Sequence, residues 1–380
     1  MADSPRILDV VVIGAGQSGL AVGYFLHRHN RDVDRHGRRP LSFVLLDAYA
    51  ERGGAWPRMW DSLRLFSPAE HSSLPGRRMP AAGEGNPPAA HVTRYLSDYE
   101  SRYDLPVRRP VDVEGVETAA DGTLLVRSPQ LEEPLRTRHL VTATGTWSRP
   151  FLPAVPGAAD FRGSSQHVVG YDRPEAYAGR RVLVVGGGNS GAQVAADLLI
   201  AQAEGRAAPA AVHWVTKRPP RYLPDDVDGR VLFETATQAL RDLAEGREPA
   251  GVGSLGDIVA VPDVRRARDE LGMAPHVGLE RLTRDGAVLD GAGEIAVDDV
   301  VWATGFRSAL AHLHGLGLAQ HDGHPATRSW TDGAYPTLST SRPDTWFVGH
   351  GDWCGPASAT LVGVGRAARD TVQGLGDSLT

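Results

Sequence analysis

Cysteine is nearly absent: Cys354 is the single one among 380 residues. One thiol cannot form an internal disulfide, a redox-active Cys-x-x-Cys pair or a cysteine-rich metal site. Basic residues are not in excess either. The 40 Lys and Arg against 46 Asp and Glu leave a formal charge of −6, which gives no field for wrapping nucleic acid. No apolar run reaches the ~20 residues that span a bilayer. The opening Met1-Ala2-Asp3-Ser4-Pro5-Arg6 lacks a charged-then-apolar segment, so export is not expected and the cytoplasm is the expected place of work. The 44 glycines and 27 prolines follow no fixed period. His312, His314, His321 and His324 have no carboxylate or thiol beside them in a ligand pattern, so they read as a surface loop and no metal is expected.

What is present is the profile of an ordinary globular chain, 41% hydrophobic and 23% charged, long enough for about two domains. Leu8–Ile13 reads as a buried parallel strand, Ser18 to about Asn30 as a helix, Asp32–Pro40 as an exposed loop, and Ser42–Leu46 as a second strand ending at Asp47. Arg94–Tyr103 reads as a helix with Thr93 as its N-cap. Val107–Glu117, Thr123–Arg127 and Arg136–Thr142 read as strands, with Asp121-Gly122 as a hairpin turn. The proline-rich Arg149–Pro156 is a linker, and after it the same grammar restarts: strand Val182–Val185, helix Ser190–Ala203, strand Val212–Val215. Tyr222–Pro275 is a poorly patterned insert with one helix near Val231–Ala244. Strands Val300–Ala303 and Trp346–Val348 and an amphipathic helix Ser358–Gln373 close the chain. The fold class implied is α/β, with two Rossmann-like dinucleotide-binding domains.

Each unit carries a phosphate cradle. Gly14-Ala15-Gly16-Gln17-Ser18-Gly19 lies between strand and helix, where three glycines serve a tight turn, close approach to pyrophosphate, and helix–strand packing. The helix N-terminus offers unpaired N–H groups to phosphate. Asp47, at the end of the next strand, would accept ribose hydroxyls; the alternative is a glycine turn without a ligand. The second cradle is Gly186-Gly187-Gly188-Asn189-Ser190-Gly191. No acid ends its following strand; Thr216-Lys217-Arg218 stands there instead. A hydroxyl and two cations suit a 2′-phosphate, which favours NADPH over NADH; the alternative is a solvated charge pair. Acid at one site and cations at the other suggest FAD as resident cofactor and NADPH as visitor.

Beyond the cradles, Phe161-Arg162-Gly163-Ser164-Ser165-Gln166-His167-Val168-Val169-Gly170-Tyr171 matches F-x-G-x-x-x-H-x-x-x-(F/Y/W), just before the second cradle. With it stand Gly53-Gly54-Ala55-Trp56, Ala143-Thr144-Gly145, Ala303-Thr304-Gly305 and Gly351-Asp352. Through these motifs nearly the whole chain resembles the flavin-containing monooxygenases, class B enzymes among the two-dinucleotide-binding-domain flavoproteins. The resemblance implies a glutathione-reductase-like fold with a discontinuous FAD domain: residues 1–152 and 302–380, interrupted by an NADPH domain at 153–301. It adds Arg52, Ala55, Trp56, Val113, Thr144, Gly145, Ala303, Thr304, Gly305 and Asp352 to the expected cofactor contacts, with Asp352 on the ribityl chain. His167 takes a structural role in the linker between domains. Cys354 is a packing residue, and Trp353 either lines the flavin cavity or belongs to the core.

Two departures stand out. Tyr171 is followed by Asp172, a mixed ending, and the asparagine often placed beside the flavin is replaced in Leu65-Phe66-Ser67-Pro68-Ala69-Glu70, with Ser67 in its place. The activity implied is NADPH-dependent oxygenation of an amine nitrogen, a thiol or thioether sulfur, or a ketone, through a C4a-(hydro)peroxyflavin and O2. A reductase or oxidase passing electrons to a quinone, a protein or O2 remains the alternative, and a nucleotide-binding sensor without turnover a third. A homodimer is expected by family analogy.

Overall fold

Leu8–Ile13 (β1) lies inside a seven-stranded sheet with parallel partners on both sides, Phe43–Leu46 (β2) and Leu135–Thr142 (β6). Buried on both faces, such a strand reads as a continuous apolar run instead of an alternation. Val10, Val11 and Val12 are accordingly fully buried. The computed structural model describes residues 7–83, 85–225, 231, 238, 257–328, 335–355 and 357–379; most of the helix expected near Val231–Ala244 lies outside them.

The first sheet runs β3 (Val107–Arg108), β2, β1, β6, β5 (Leu124–Arg127), β4 (Gly115–Thr118), with β17 (Thr345–Phe347) parallel to β6. The second runs β10 (His276–Val277), β9 (Ala211–Thr216), β8 (Arg181–Val185), β14 (Asp299–Trp302), β7 (Ser164–His167). Because β17 returns to the first sheet, that sheet is built from two stretches of chain flanking the second. Helix α1 (Gln17–Arg35) leaves the first cradle and α3 (Asn189–Ala203) the second. A closing helix, α5 (Val364–Leu379), packs against α1 in one core with Leu20, Val372 and Leu375. Among the described residues, no helix is long and apolar enough to cross a membrane.

Several boundaries differ from expectation for identifiable reasons. α1 continues to Arg35, so the polar stretch from Asp32 is partly an exposed last helical turn; polarity alone does not end a helix. α2 spans Ala89–Arg102, and Thr93 lies inside it, its hydroxyl donating to the Ala89 carbonyl at 3.1 Å instead of capping. The strand expected over Val107–Glu117 splits into β3 and β4 around Pro110, which has no N–H for a ladder. The last helix begins at Val364, because residues 357–363 form turns in which the Ser358 hydroxyl bonds the Gly351 carbonyl at 2.8 Å. Inside the insert stands α4 (Pro262–Glu270), and after it a meander of β11 (Leu279–Leu282), β12 (Gly286–Leu289) and β13 (Gly293–Ala296). A small hairpin, β15 (Gln320–His321) with β16 (His324–Pro325), completes the described strands.

Candidate nucleotide and flavin site

The two cradles obey one geometry. A Cβ on Gly14 would lie 2.5 Å from the Ala143 oxygen, and one on Gly19 1.8 Å from the Gly14 oxygen. In the second cradle Gly186 would strike the Ala303 oxygen at 2.2 Å and Gly191 the Gly186 oxygen at 2.3 Å. The outer glycines are thus fixed by turn and packing. The middle ones are not: among the described residues Gly188 would meet nothing within 4 Å, and Gly16 only the Gly54 Cα at 3.7 Å. That open side, facing a helix N-terminus, is where pyrophosphate approaches in this fold. Each Ala-Thr-Gly segment lies under its own cradle, through Ala143 and Ala303.

Over the first cradle folds the Gly53–Trp56 loop. The Trp56 indole donates to Gln17 Oε1 at 3.1 Å, and the Gln17 amide donates to the Ala359 carbonyl at 2.7 Å. Ser18 is buried against Gly349. Asp47 follows β2 and is 4% exposed. Its Oδ1 accepts the Tyr49 N–H at 3.2 Å, while Oδ2 accepts no hydrogen bond and stands 3.7 Å from Arg109. Burial pushes the carboxyl up; the Tyr49 N–H and Arg109 pull it back. A buried carboxylate oxygen without a donor is costly, and a ribose hydroxyl would satisfy it. Arg109 is held in turn by Glu100 at 2.6 and 2.7 Å, and Glu100 also meets Arg52 at 3.2 Å. Glu100 and Arg109 carry no motif that the sequence could have flagged. Val113 is buried in the core beneath this region, and the exposed Asp352 accepts the Ala357 N–H at 2.9 Å.

At the second cradle, Asn189 Oδ1 accepts the Val259 N–H at 2.8 Å, and Ser190 follows on the first turn of α3. Thr216 does not offer its hydroxyl outward as its sequence position suggests. The proton is committed to the Arg218 carbonyl at 2.8 Å, so Thr216 shapes the turn that presents Lys217 and Arg218, both exposed.

Between the units the linkers are strapped together. Thr144 donates to the Ala309 carbonyl at 2.7 Å, Ala309 N–H to Gly145 at 2.9 Å, and Phe151 N–H to Gly305 at 3.0 Å. Thr304 donates to the Phe151 carbonyl at 2.5 Å. His167 joins this strap, with Nε2 3.0 Å from the Gly305 carbonyl. Burial pulls its pKa down and keeps the ring neutral; with Nδ1 accepting the Val169 N–H and Nε2 facing a carbonyl, Nε2 is the nitrogen that donates. This is a structural histidine. Tyr171 donates to buried Asp197 on α3 at 2.8 Å, and Ser62 from the first unit donates to the same oxygen at 2.7 Å. The Phe161-to-Tyr171 motif is therefore junction hardware, and Asp172 beside it is exposed. Ser67 is also buried here, its hydroxyl 2.9 Å from that of Ser72.

The histidines do not form the expected surface loop. His312 shares the buried side of the short helix Ala311–Leu316 with Leu313 and Leu316, and His324 stacks on Trp353 at 4.7 Å and 11°. His314 and His321 are exposed. Trp353 also stacks on His350 at 5.8 Å and packs, half-buried, against a core cluster. Cys354 is buried, and burial pushes its thiol up, so it is not poised as a thiolate. Among the described residues no three His, Cys, Asp or Glu side chains converge on a metal geometry.

Residues 11–221 match the family model described as pyridine nucleotide-disulphide oxidoreductase. A flavin-containing monooxygenase from Stenotrophomonas maltophilia is 39% identical, superposes with a TM-score of 0.83, and covers 99% of this chain and 100% of its own. The chain belongs to the flavin-containing monooxygenases. It is thus a flavin-dependent oxidoreductase within the wider pyridine nucleotide family. The internal dithiol that many disulphide reductases use is excluded here, because this chain has one cysteine. An uncharacterized oxidoreductase CzcO of Bacillus velezensis is 27% identical over 96% of this chain and 98% of its own length. A probable indole-3-pyruvate monooxygenase, YUCCA8 of Arabidopsis thaliana, is 28% identical over 80% of this chain and 75% of its own length.

Proposed function

We propose that this enzyme is an NADPH-dependent FAD monooxygenase that oxygenates an amine nitrogen, a thiol or thioether sulfur, or a ketone carbonyl. The observation that carries the reading is the pair of cradles with open middle glycines, one beside an orphaned acid and the other beside exposed cations. FAD would lie on Gly14, Gly16, Gln17, Ser18 and Gly19, with Asp47 Oδ2 on its ribose and Asp352 near its ribityl chain. NADPH would lie on Gly186, Gly188, Asn189, Ser190 and Gly191, with Lys217 and Arg218 toward its 2′-phosphate. FAD supplies hydride acceptance and oxygen activation when bound. The chain's own residues need only bind, orient and exclude water, which agrees with the buried, protonated state of its one thiol.

The strap of 145–151 against 305–309 and the Ser62–Asp197–Tyr171 cluster fix the orientation of one cradle against the other. One observation favours a reductase or oxidase instead: Ser67 stands where the family often places asparagine, and its hydroxyl is engaged with Ser72. Stoichiometry decides between them. With a thioether, a tertiary amine and a cyclic ketone offered in turn, NADPH consumption should be matched by oxygenated product from at least one. Complete recovery of the NADPH electrons as hydrogen peroxide with all three would assign the oxidase.

A further inference from the structure

The second cradle opens into a cavity of about 510 Å³ lined by Gly187, Gly188, Lys217, Arg218, Pro220 and Asp257. Asp257 is the carboxylate that the strand end lacks. It arrives from 39 residues beyond Arg218 and accepts Arg218 Nη2 at 2.8 Å and Arg221 Nε and Nη2 at 3.1 Å each. Its position is set by its backbone, since its N–H donates to the Arg221 carbonyl at 2.7 Å and Ile258 bridges Tyr222. The Asp257 side chain is 20% exposed, whereas that of Arg218 is 69% exposed. Lys217 makes no ion pair with the described residues.

We infer that Asp257 is a nucleotide-discriminating residue: its carboxylate stands against the 2′-phosphate and beside Arg218, so that the site takes 2′-hydroxyl and 2′-phosphate nicotinamide nucleotides with little preference between them. This rests on the reading of the second cradle as the nicotinamide nucleotide site. A 2′-hydroxyl is a donor that a carboxylate accepts, and a carboxylate in this region of the fold is the usual device for it. A 2′-phosphate must instead draw Arg218 away from Asp257 and tolerate a like charge. Exposed ion pairs are weak, so Arg218 can change partners, and the like charge that stays behind is what lowers the preference. The two arginines hold the Asp257 carboxyl below the usual range, so it is ionised at neutral pH.

The test is calorimetric titration of the flavin-loaded protein with 2′,5′-ADP, 5′-ADP, NADP⁺ and NAD⁺. Asp257→Asn, with Asp257→Ser as a second variant, should tighten 2′,5′-ADP and NADP⁺ by about fivefold, the scale of one screened like-charge contact. The two nucleotides without 2′-phosphate should bind no tighter than to the parent. Arg218→Ala should weaken NADP⁺ far more than NAD⁺. If both Asp257 variants weaken NADP⁺, the carboxylate is a scaffold for Arg218 and the inference falls; equal changes for both nucleotide types overturn it as well. A parent protein that binds none of the four ligands would instead remove the nucleotide-site reading itself.

Discussion

Gly188→Val should abolish NADP⁺ binding and NADPH-driven turnover while leaving the protein folded and yellow with FAD. The backbone at Gly188 has φ −107° and ψ −175°, extended geometry that a β-branched residue adopts readily. Among the described residues its Cβ would meet no atom beyond its chain neighbours within 4 Å, so the new side chain projects into the space over the cradle. There its methyl groups would cover the N–H groups at the start of α3 that a pyrophosphate would use. The cost to the fold is the poorer N-cap, about 1 kcal/mol. Gly186 and Gly191 cannot serve this purpose, since side chains there strike backbone oxygens at 2.2 and 2.3 Å and disturb the loop itself. Calorimetry with NADP⁺, the thermal midpoint and flavin absorbance together check the prediction. Parental NADP⁺ affinity in the variant would show that the nucleotide does not cross this glycine.

The cradles were legible because their constraints are local. A buried strand, a glycine that must turn and a glycine that must let the helix touch the strand all fall within a dozen residues. The Ala-Thr-Gly segments and the Phe161-to-Tyr171 motif were legible only as patterns. Their physical reasons, Ala143 and Ala303 under the cradles and Tyr171 on Asp197, span long separations in the chain. Asp257 had no signal at all, because a carboxylate 39 residues from its arginine looks like any surface acid. Glu100 and Arg109 escaped for the same reason, although they brace Asp47. The meander of β11, β12 and β13 was missed because four-residue strands broken by glycines carry too little alternation to be read. Thr216 was misread in role because a hydroxyl's direction is not written in its position.

Acidification from about pH 7 to 5 should loosen the C-terminal part of the first unit through two histidines. His350 is buried, with Nε2 3.2 Å from the Thr142 carbonyl and Nδ1 unpartnered; His312 is buried with Nε2 unpartnered. Burial pulls both from 6.5 to about 4, and the His350 ring beside it lowers His312 further. Between those two values the unfolded chain binds more protons than the folded one, so stability falls as pH falls. Above about 6.5 both states are neutral and this contribution is flat. At roughly 1.4 kcal/mol per unit of difference, the loss near pH 5 is about 2 kcal/mol per histidine. Asp47 and Asp197, pushed up by burial, contribute in the opposite sense as pH falls through their raised values. His350 bonds the carbonyl just before the Ala143-Thr144-Gly145 crossing, so the loss should register as release of FAD, read by the rise in free-flavin fluorescence. His312→Leu removes an unsatisfied buried nitrogen beside Leu313 and Leu316 and should flatten the slope of stability against pH without lowering stability at pH 7. A parent protein whose thermal midpoint does not move between pH 7 and 5 would mean that these rings are not held neutral in the fold.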